Sequence, residues 1–225
     1  MKTILSAILL SCLFAVGSAQ QNADYGVYGG VSTYFGDINH GRLFYAPLPS
    51  AGLFYRYNFH PRQAVKLSLY HGMFNADDFD FNNDFQQARM WSFNGNVTEL
   101  AAQFEFNFFS YSTMGERWDF SPYFATGIGV SLFDSREFSL QPVIPLTIGF
   151  KVNINKNMGL ELEHGFRKTF YDNFDGLKDN VSPDDHAILH NNDWYCFSGI
   201  SFTWKIYNRS LNCATYFDVN GRRKR

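Results

Sequence analysis

The chain has 225 residues, 45% hydrophobic and 19% aromatic with 25 Phe and 13 Tyr, yet its mean hydropathy is only -0.25. That length supports one substantial domain, and so low a hydropathy with so many aromatics requires apolar and polar residues to be interleaved. A formal net charge of -2 lacks the basic excess of a nucleic-acid surface.

The chain opens with Met1-Lys2-Thr3, an apolar run from Ile4 to Val16, then Gly17-Ser18-Ala19 before a polar Gln20-Gln21-Asn22. Residues 1–19 therefore read as a secretory signal peptide cut after Ala19. Leu9-Leu10-Ser11 ahead of Cys12 offers a competing lipoprotein reading, but the apolar run continues past the cysteine through Leu13-Phe14-Ala15-Val16. Beyond residue 19 no uninterrupted apolar run approaches the ~20 residues that a membrane helix needs. The mature chain is thus either an exported soluble protein or a closed barrel.

Period-2 alternation separates the two, because each strand of a membrane barrel sends apolar residues to lipid and polar residues to its lumen. Strands are expected at about 25–36, 51–59, 64–74, 89–108, 120–133, 143–154, 158–170 and 194–206. In the fourth, Leu100, Ala102, Phe104, Phe106 and Phe108 alternate with Glu99, Ala101, Gln103, Glu105 and Asn107. In the sixth, Leu146, Ile148, Phe150, Val152 and Ile154 alternate with Thr147, Gly149, Lys151 and Asn153. The connections alternate too. His60-Pro61-Arg62-Gln63 and Asn155-Lys156-Asn157 are tight, 37–50, 75–88, 134–142 and 171–193 are long, and 109–117 is long for an inner turn. Short periplasmic turns and long outer loops are the layout of an outer-membrane barrel. Aromatics near strand ends, Tyr55, Tyr57, Phe59, Trp194 and Trp204, resemble interfacial girdles. A β-sandwich would need every apolar face buried in one core; here each segment supplies such a face. The expected fold is all-β, an eight-stranded antiparallel transmembrane barrel over 20–207, followed by a periplasmic basic tail over 208–225.

Parity sends Arg56, Lys66, Glu99, Glu105, Lys151, Glu161, Glu163, Arg167 and Lys205 into the lumen. An eight-stranded barrel is just wide enough for side chains to fill, so these charges are expected to pair as a plug and to leave no conducting pore. No GxSxG, HExxH, P-loop or dinucleotide fingerprint occurs, and Cys and His lack metal-ligand spacing. The expectation is a non-enzyme with no cofactor and no metal. His71 and His164 fall on the lipid face, but no nucleophile, base and orienting group can be assembled from the sequence. Asp77, Asp78, Asp80 and Asp84 in one outer loop, and Asp172, Asp175, Asp179, Asp184 and Asp185 in another, match no calcium loop and read as solvated charge. Once Cys12 leaves with the signal, Cys196 and Cys213 remain. Cys196 is expected on the lipid face at the outer end of the last strand, and Cys213 beyond its inner end. A strand of ~10 residues separates them by about 30 Å, too far for a bridge.

These strands carry an ordered set of pieces: Gly36-Asp37-Ile38-Asn39, Gly52-Leu53-Phe54-Tyr55-Arg56-Tyr57-Asn58-Phe59, Arg89-Met90-Trp91-Ser92-Phe93, and Glu99-Leu100 with Glu105-Phe106-Asn107-Phe108. Ser121-Pro122-Tyr123, Gly127-Ile128-Gly129, Glu163-His164-Gly165-Phe166-Arg167-Lys168-Thr169 and Asp193-Trp194-Tyr195 complete it. Together they resemble the PorG family of type IX secretion system proteins of the Bacteroidetes. The resemblance implies an outer-membrane barrel, surrounded by outer-membrane lipids, that anchors or stabilises a periplasmic ring built from a PorK-like lipoprotein and a PorN-like partner in the secretion and gliding machinery. The alternatives are a free-standing adhesin or envelope stabiliser and, less favoured, a lipid-modifying barrel enzyme. A C-terminal cysteine fits the family pattern, which points to Cys213 as a candidate for an intermolecular disulfide with the ring lipoprotein.

Overall fold

A computed structural model describes residues 23–36, 38–39, 42–81, 84–111, 117–134, 138–170 and 194–206. The expected signal peptide, the tail with Cys213 and the loop 171–193 lie outside the described residues.

Alternation along each segment produces eight strands: β1 (Ala23–Phe35), β2 (Leu48–His60), β3 (Gln63–Asp77), β4 (Ser92–Asn107), β5 (Phe120–Asp134), β6 (Phe138–Asn153), β7 (Met158–Thr169) and β8 (Trp194–Ile206). Each pairs antiparallel with the next, and β1 pairs with β8 from Phe35↔Trp194 down to Ala23↔Ile206, so the sheet closes and no edge remains. In β3, Lys66, Ser68, Tyr70 and Phe74 are buried, whereas Val65, Leu67, Leu69 and Met73 are exposed. A one-residue slip would swap these faces.

The resulting molecule is apolar outside and polar inside. Leu53 is 58%, Ile128 74% and Leu162 60% exposed, while Arg56, Glu105 and Lys151 are fully buried. Only a hydrocarbon surround makes that arrangement favourable, because closed barrels satisfy every interior backbone group between strands. No described helix is long and apolar enough to cross a membrane; the strands cross instead.

The tight turns after β2 and β6 lie at one end with the connection 108–119, and the loops after β1, β3, β5 and β7 lie at the other. The first end is periplasmic by the rule of short inner turns. Three expectations change at the outer end. β6 begins at Phe138, not 143, because Phe138–Val143 continue in register with Asp134–Gly129; Asp134 and Phe138–Pro142, expected in a loop over 134–142, are strand. Proline lacks a ladder donor and is ordinarily confined to sheet edges and irregularities. Pro142 lies on the exposed outer face, and the pairing of β5 with β6 skips Gly127 and Ile128 opposite Pro145, which has no N–H to donate. At the other side of the mouth, β3 runs on to Asp77, whereas Arg89–Trp91 are not strand. Arg89 ends a short α-helix, Asp84–Arg89, and Met90 has φ 51°, which breaks extension ahead of Ser92.

The lumen is filled in two tiers. Toward the outer end, Tyr34, Phe74, Phe93, Phe133, Tyr195 and Phe197 form an aromatic cluster with edge-to-face contacts, among them Tyr34–Phe93 at 4.9 Å and Phe74–Tyr195 at 5.6 Å. Toward the periplasm the filling is charged. Inward glycines make the space that large side chains need: a Cβ on Gly52 would lie 2.2 Å from the Tyr70 ring, and one on Gly165 would lie 1.9 Å from the Arg167 guanidinium.

Candidate functional site

The structure brings all nine sequence-predicted lumen residues together inside the barrel, each at most 8% exposed. Arg56, on β2, spans the barrel to Glu161 on β7, donating from Nη1 and Nη2 to its two carboxylate oxygens at 2.5 and 2.6 Å. Its Nε stands 3.1 Å from Glu105, and Nη1 stands 3.6 Å from Asp24. Lys151 bonds Glu105 from the opposite side. Higher up, Glu163 accepts from Lys66 Nζ and Tyr70 Oη at 2.6 Å each and from Tyr123 Oη at 3.1 Å. Glu99 accepts from Arg167 Nε at 3.2 Å and from Tyr195 Oη at 2.6 Å; Ser131 Oγ must then donate to Tyr195 Oη at 2.5 Å. Lys205 donates to Asn153 Oδ1 near the inner mouth.

Sequence reasoning missed several members. Asp24 falls one residue before the expected start of β1, yet it is fully buried, beside Arg56, and accepts from Asn58 Nδ2 at 2.7 Å. With it the barrel interior holds Arg56, Lys66, Lys151, Arg167 and Lys205 against Asp24, Glu99, Glu105, Glu161 and Glu163, five charges of each sign among the described residues. Burial without neutralisation would cost several kcal/mol per ion, by about the effective penalty for buried charges. Tyr70, Tyr123 and Tyr195 carried a readable signal, since each shares the inward parity of a predicted charge on its own or a paired strand. Tyr111 carried none. It comes from the inner connection, donates its backbone N–H to Pro61 O at 2.9 Å, and sets its ring 5.4 Å from Lys151 Nζ and 4.9 Å from Lys205 Nζ. Burial raises its phenol pKa above the ordinary value. The unusual length of that connection thus supplies a stopper for the inner mouth.

Residues 2–215 match the family model described as a domain of unknown function, DUF6089. The chain belongs to this family. No curated protein matches it. Among solved structures it is similar to Ail, the attachment invasion locus protein of Yersinia pestis, in complex with the heparin analogue sucrose octasulfate (TM-score 0.48, 11% identity, 83% of this chain and 99% of that chain). It is also similar to Neisserial surface protein A (TM-score 0.48, 8% identity, 80% and 95%) and to OprG from Pseudomonas aeruginosa (TM-score 0.41, 11% identity, 84% and 98%). The apolar wall, closed antiparallel sheet and short inner turns of this DUF6089 chain put it in the outer membrane.

The outer mouth of the DUF6089 barrel is latched by its first two loops. Asp78 is fully buried and accepts from Arg89 Nε and Nη2 at 2.7 Å each and from the Trp91 N–H at 3.0 Å. Asp77 caps the one-turn 3₁₀ helix Asp78–Asp80 by accepting from Phe79 N at 3.0 Å, and Asp80 accepts from Tyr45 Oη at 2.7 Å. Asp77, Asp78 and Asp80 are therefore structural partners rather than the solvated charge expected: Asp78 is buried and Asp77 half-buried, while Asp80, though bonded to Tyr45, is exposed, as is Asp84 at the start of the short helix. Burial and the Asp80 carboxylate push the Tyr45 phenol up to about 12. Ile38 plugs the aromatic tier from above, held where Asn39 Nδ2 donates to Tyr34 O and Gln86 Nε2 donates to Ile38 O.

On the outer wall, His71 Nδ1 lies 2.9 Å from Thr98 Oγ1, and His164 Nδ1 lies 2.6 Å from Ser198 Oγ, a cross-strand pair that sequence reasoning left unassembled. Cys196 keeps the outward parity of Ile200 and Phe202, but it is fully covered between Thr33 and Phe166 instead of open to lipid.

Proposed function

We propose that this barrel is a non-enzymatic outer-membrane component of the type IX protein secretion system that anchors or stabilises a periplasmic ring of PorK-like and PorN-like proteins. The observation that carries the proposal is the filled lumen: among the described residues, five cations and five carboxylates are packed into the barrel interior below an aromatic tier, which supports a barrel that offers cargo no route. A wall that conducts nothing serves by holding its neighbours in place, and the ordered motifs from Gly36 to Tyr195 supply the identity of those neighbours. Deleting the gene is expected to leave cargo in the periplasm, and a tagged barrel is expected to co-purify the ring proteins. Normal export in the deletion strain refutes the proposal. The proposed Cys213 bridge has its own test on non-reducing gels: a high-mass band containing barrel and lipoprotein appears in wild type and vanishes in Cys213→Ser.

The free-standing adhesin is the second reading, favoured by the latched outer loops, whose buried Asp78–Arg89 pair would give a rigid surface. It predicts altered surface binding with export intact.

A further inference from the structure

The outer wall carries a groove that the proposed anchoring role does not use. It is about 970 Å³, and its outer end is lined by Val31, Leu43, Phe44, Leu162, His164 and Ser198. Phe44 belongs to the loop after β1 and has φ 111°, a conformation that a bulky side chain adopts only under constraint. That backbone turns the loop down onto the wall, where the Phe44 ring stands 5.9 Å from His164. The lipid-facing surface therefore contains a roofed recess with a polar pair in it.

The pair cannot satisfy itself. If Ser198 O–H donates to His164 Nδ1, the Nε2–H of the ring is left without an acceptor; if Nδ1–H donates to Ser198, the hydroxyl hydrogen and the Nε2 lone pair are left. Neither side chain makes a second side-chain hydrogen bond among the described residues. In hydrocarbon, an unmet donor or acceptor is costly, so the recess favours an occupant that brings oxygen as well as methylene groups.

A third feature fixes the occupant's charge. Lys168 lies on the same outward face of β7 as His164, four residues nearer the outer rim, about 13 Å by strand rise. Its Nζ is buried, has no hydrogen-bond partner among the described residues, and lies 4.7 Å from the Trp194 ring centroid. From the rim inward, the wall therefore offers a cation with no hydrogen-bond partner among the described residues, then a hydrogen-bonding pair, then an apolar trough.

We infer that this face binds an anionic acyl-ester lipid of the outer leaflet, of the lipid A class: phosphate at Lys168, an acyl oxygen at His164 and Ser198, and a chain lying beneath Phe44. The membrane supplies the occupant, because the groove opens into the hydrocarbon layer and toward the outer rim.

The test uses the full chain, purified from the outer membrane in mild detergent and offered lipid A or phosphatidylglycerol, with bound lipid counted by native mass spectrometry. Wild type should retain one lipid A in preference to phosphatidylglycerol. Lys168→Gln and the double variant His164→Phe, Ser198→Ala should each weaken retention by about tenfold or more, the scale of a lost hydrogen bond to a charged or buried group. Heat-modifiable migration establishes that each variant is folded. Equal retention in folded variants and wild type overturns the proposal, as does equal or better binding of phosphatidylglycerol. Release of free fatty acid by wild type but not by Ser198→Ala also overturns it, replacing a binding site with an esterase. Ring attachment is read separately by co-purification of the ring proteins, so either proposal can fail alone.

Discussion

Replacing Arg56 with Met keeps most of the side-chain volume and removes the cation at the centre of the charged tier. Arg56 is fully buried, donates twice to Glu161 at 2.5 and 2.6 Å, and stands 3.1 Å from Glu105 and 3.6 Å from Asp24. Lys151 still bonds Glu105, and Asn58 still donates to Asp24, but Glu161 retains only the Thr203 hydroxyl at 3.0 Å. The interior then holds four cations against five carboxylates. Breaking one buried pair by removing a single partner costs about 3–5 kcal/mol, a large share of the roughly 5–15 kcal/mol that holds a typical domain folded. Arg56→Met is therefore expected to lower the urea midpoint of refolded barrel sharply, read as loss of heat-modifiable migration. The double variant Arg56→Met, Glu161→Gln restores four charges of each sign and should recover part of the loss. Unfolding of the single variant at the wild-type midpoint, or a double variant no better than the single, would refute the electrostatic account of the lumen.

The barrel was legible in the sequence because its rule is local: parity alone assigns a side chain to lipid or lumen, and eight segments obey it. The nine predicted charges followed from that parity. Their partners across the barrel did not, since Arg56–Glu161 spans β2 to β7, and strand spacing says nothing about which side chains meet through a filled lumen. Asp24 was lost to a boundary placed two residues late. The outer mouth was misread for a different reason. A run of acidic residues looks solvated unless the counter-charge is known, and Arg89, assigned to a strand, is the residue that buries Asp78. Phe138–Pro142 were read as part of a long connection; the strand extends through them and tolerates Pro142 and Pro145 because one sits on the exposed outer face and the other at a gap in the ladder. The recess at His164 depends on Phe44 folding back from a distant loop, which no periodicity encodes.

Four further outcomes follow. Phe104→Arg or Phe150→Arg puts a charge on the lipid face at about 2–4 kcal/mol near the bilayer midplane, so neither variant should assemble stably; wild-type-like heat-modifiable migration would contradict the face assignment. Purified barrel in planar bilayers should give no steady single-channel steps, and their appearance would contradict the filled lumen. Asp78→Asn removes the charge that Arg89 and the Trp91 N–H are bound to, and should make the outer loops cleavable by protease on intact cells while export continues; unchanged protection would return that loop to solvated charge. The last outcome concerns Tyr45, which donates to Asp80 at 2.7 Å and accepts from the Asp77 N–H at 2.9 Å. Its phenol is pushed from the ordinary 10.0 up to about 12, chiefly through burial and then through the carboxylate it donates to. A group whose pKa is raised in the folded state stabilises that state fully below its unfolded value and loses the effect as pH climbs through the folded one. The latch should therefore hold below about pH 10, the unfolded tyrosine range, and open as pH approaches 12. Ionisation leaves a phenolate facing the Asp80 carboxylate with no proton between them. A difference titration at the tyrosinate absorbance band, wild type minus Tyr45→Phe, isolates this group from the other phenols. It should show one tyrosine titrating near 12; a midpoint near the unfolded value would mean that the phenol is neither buried nor bonded to Asp80, and that the two loops are not joined there.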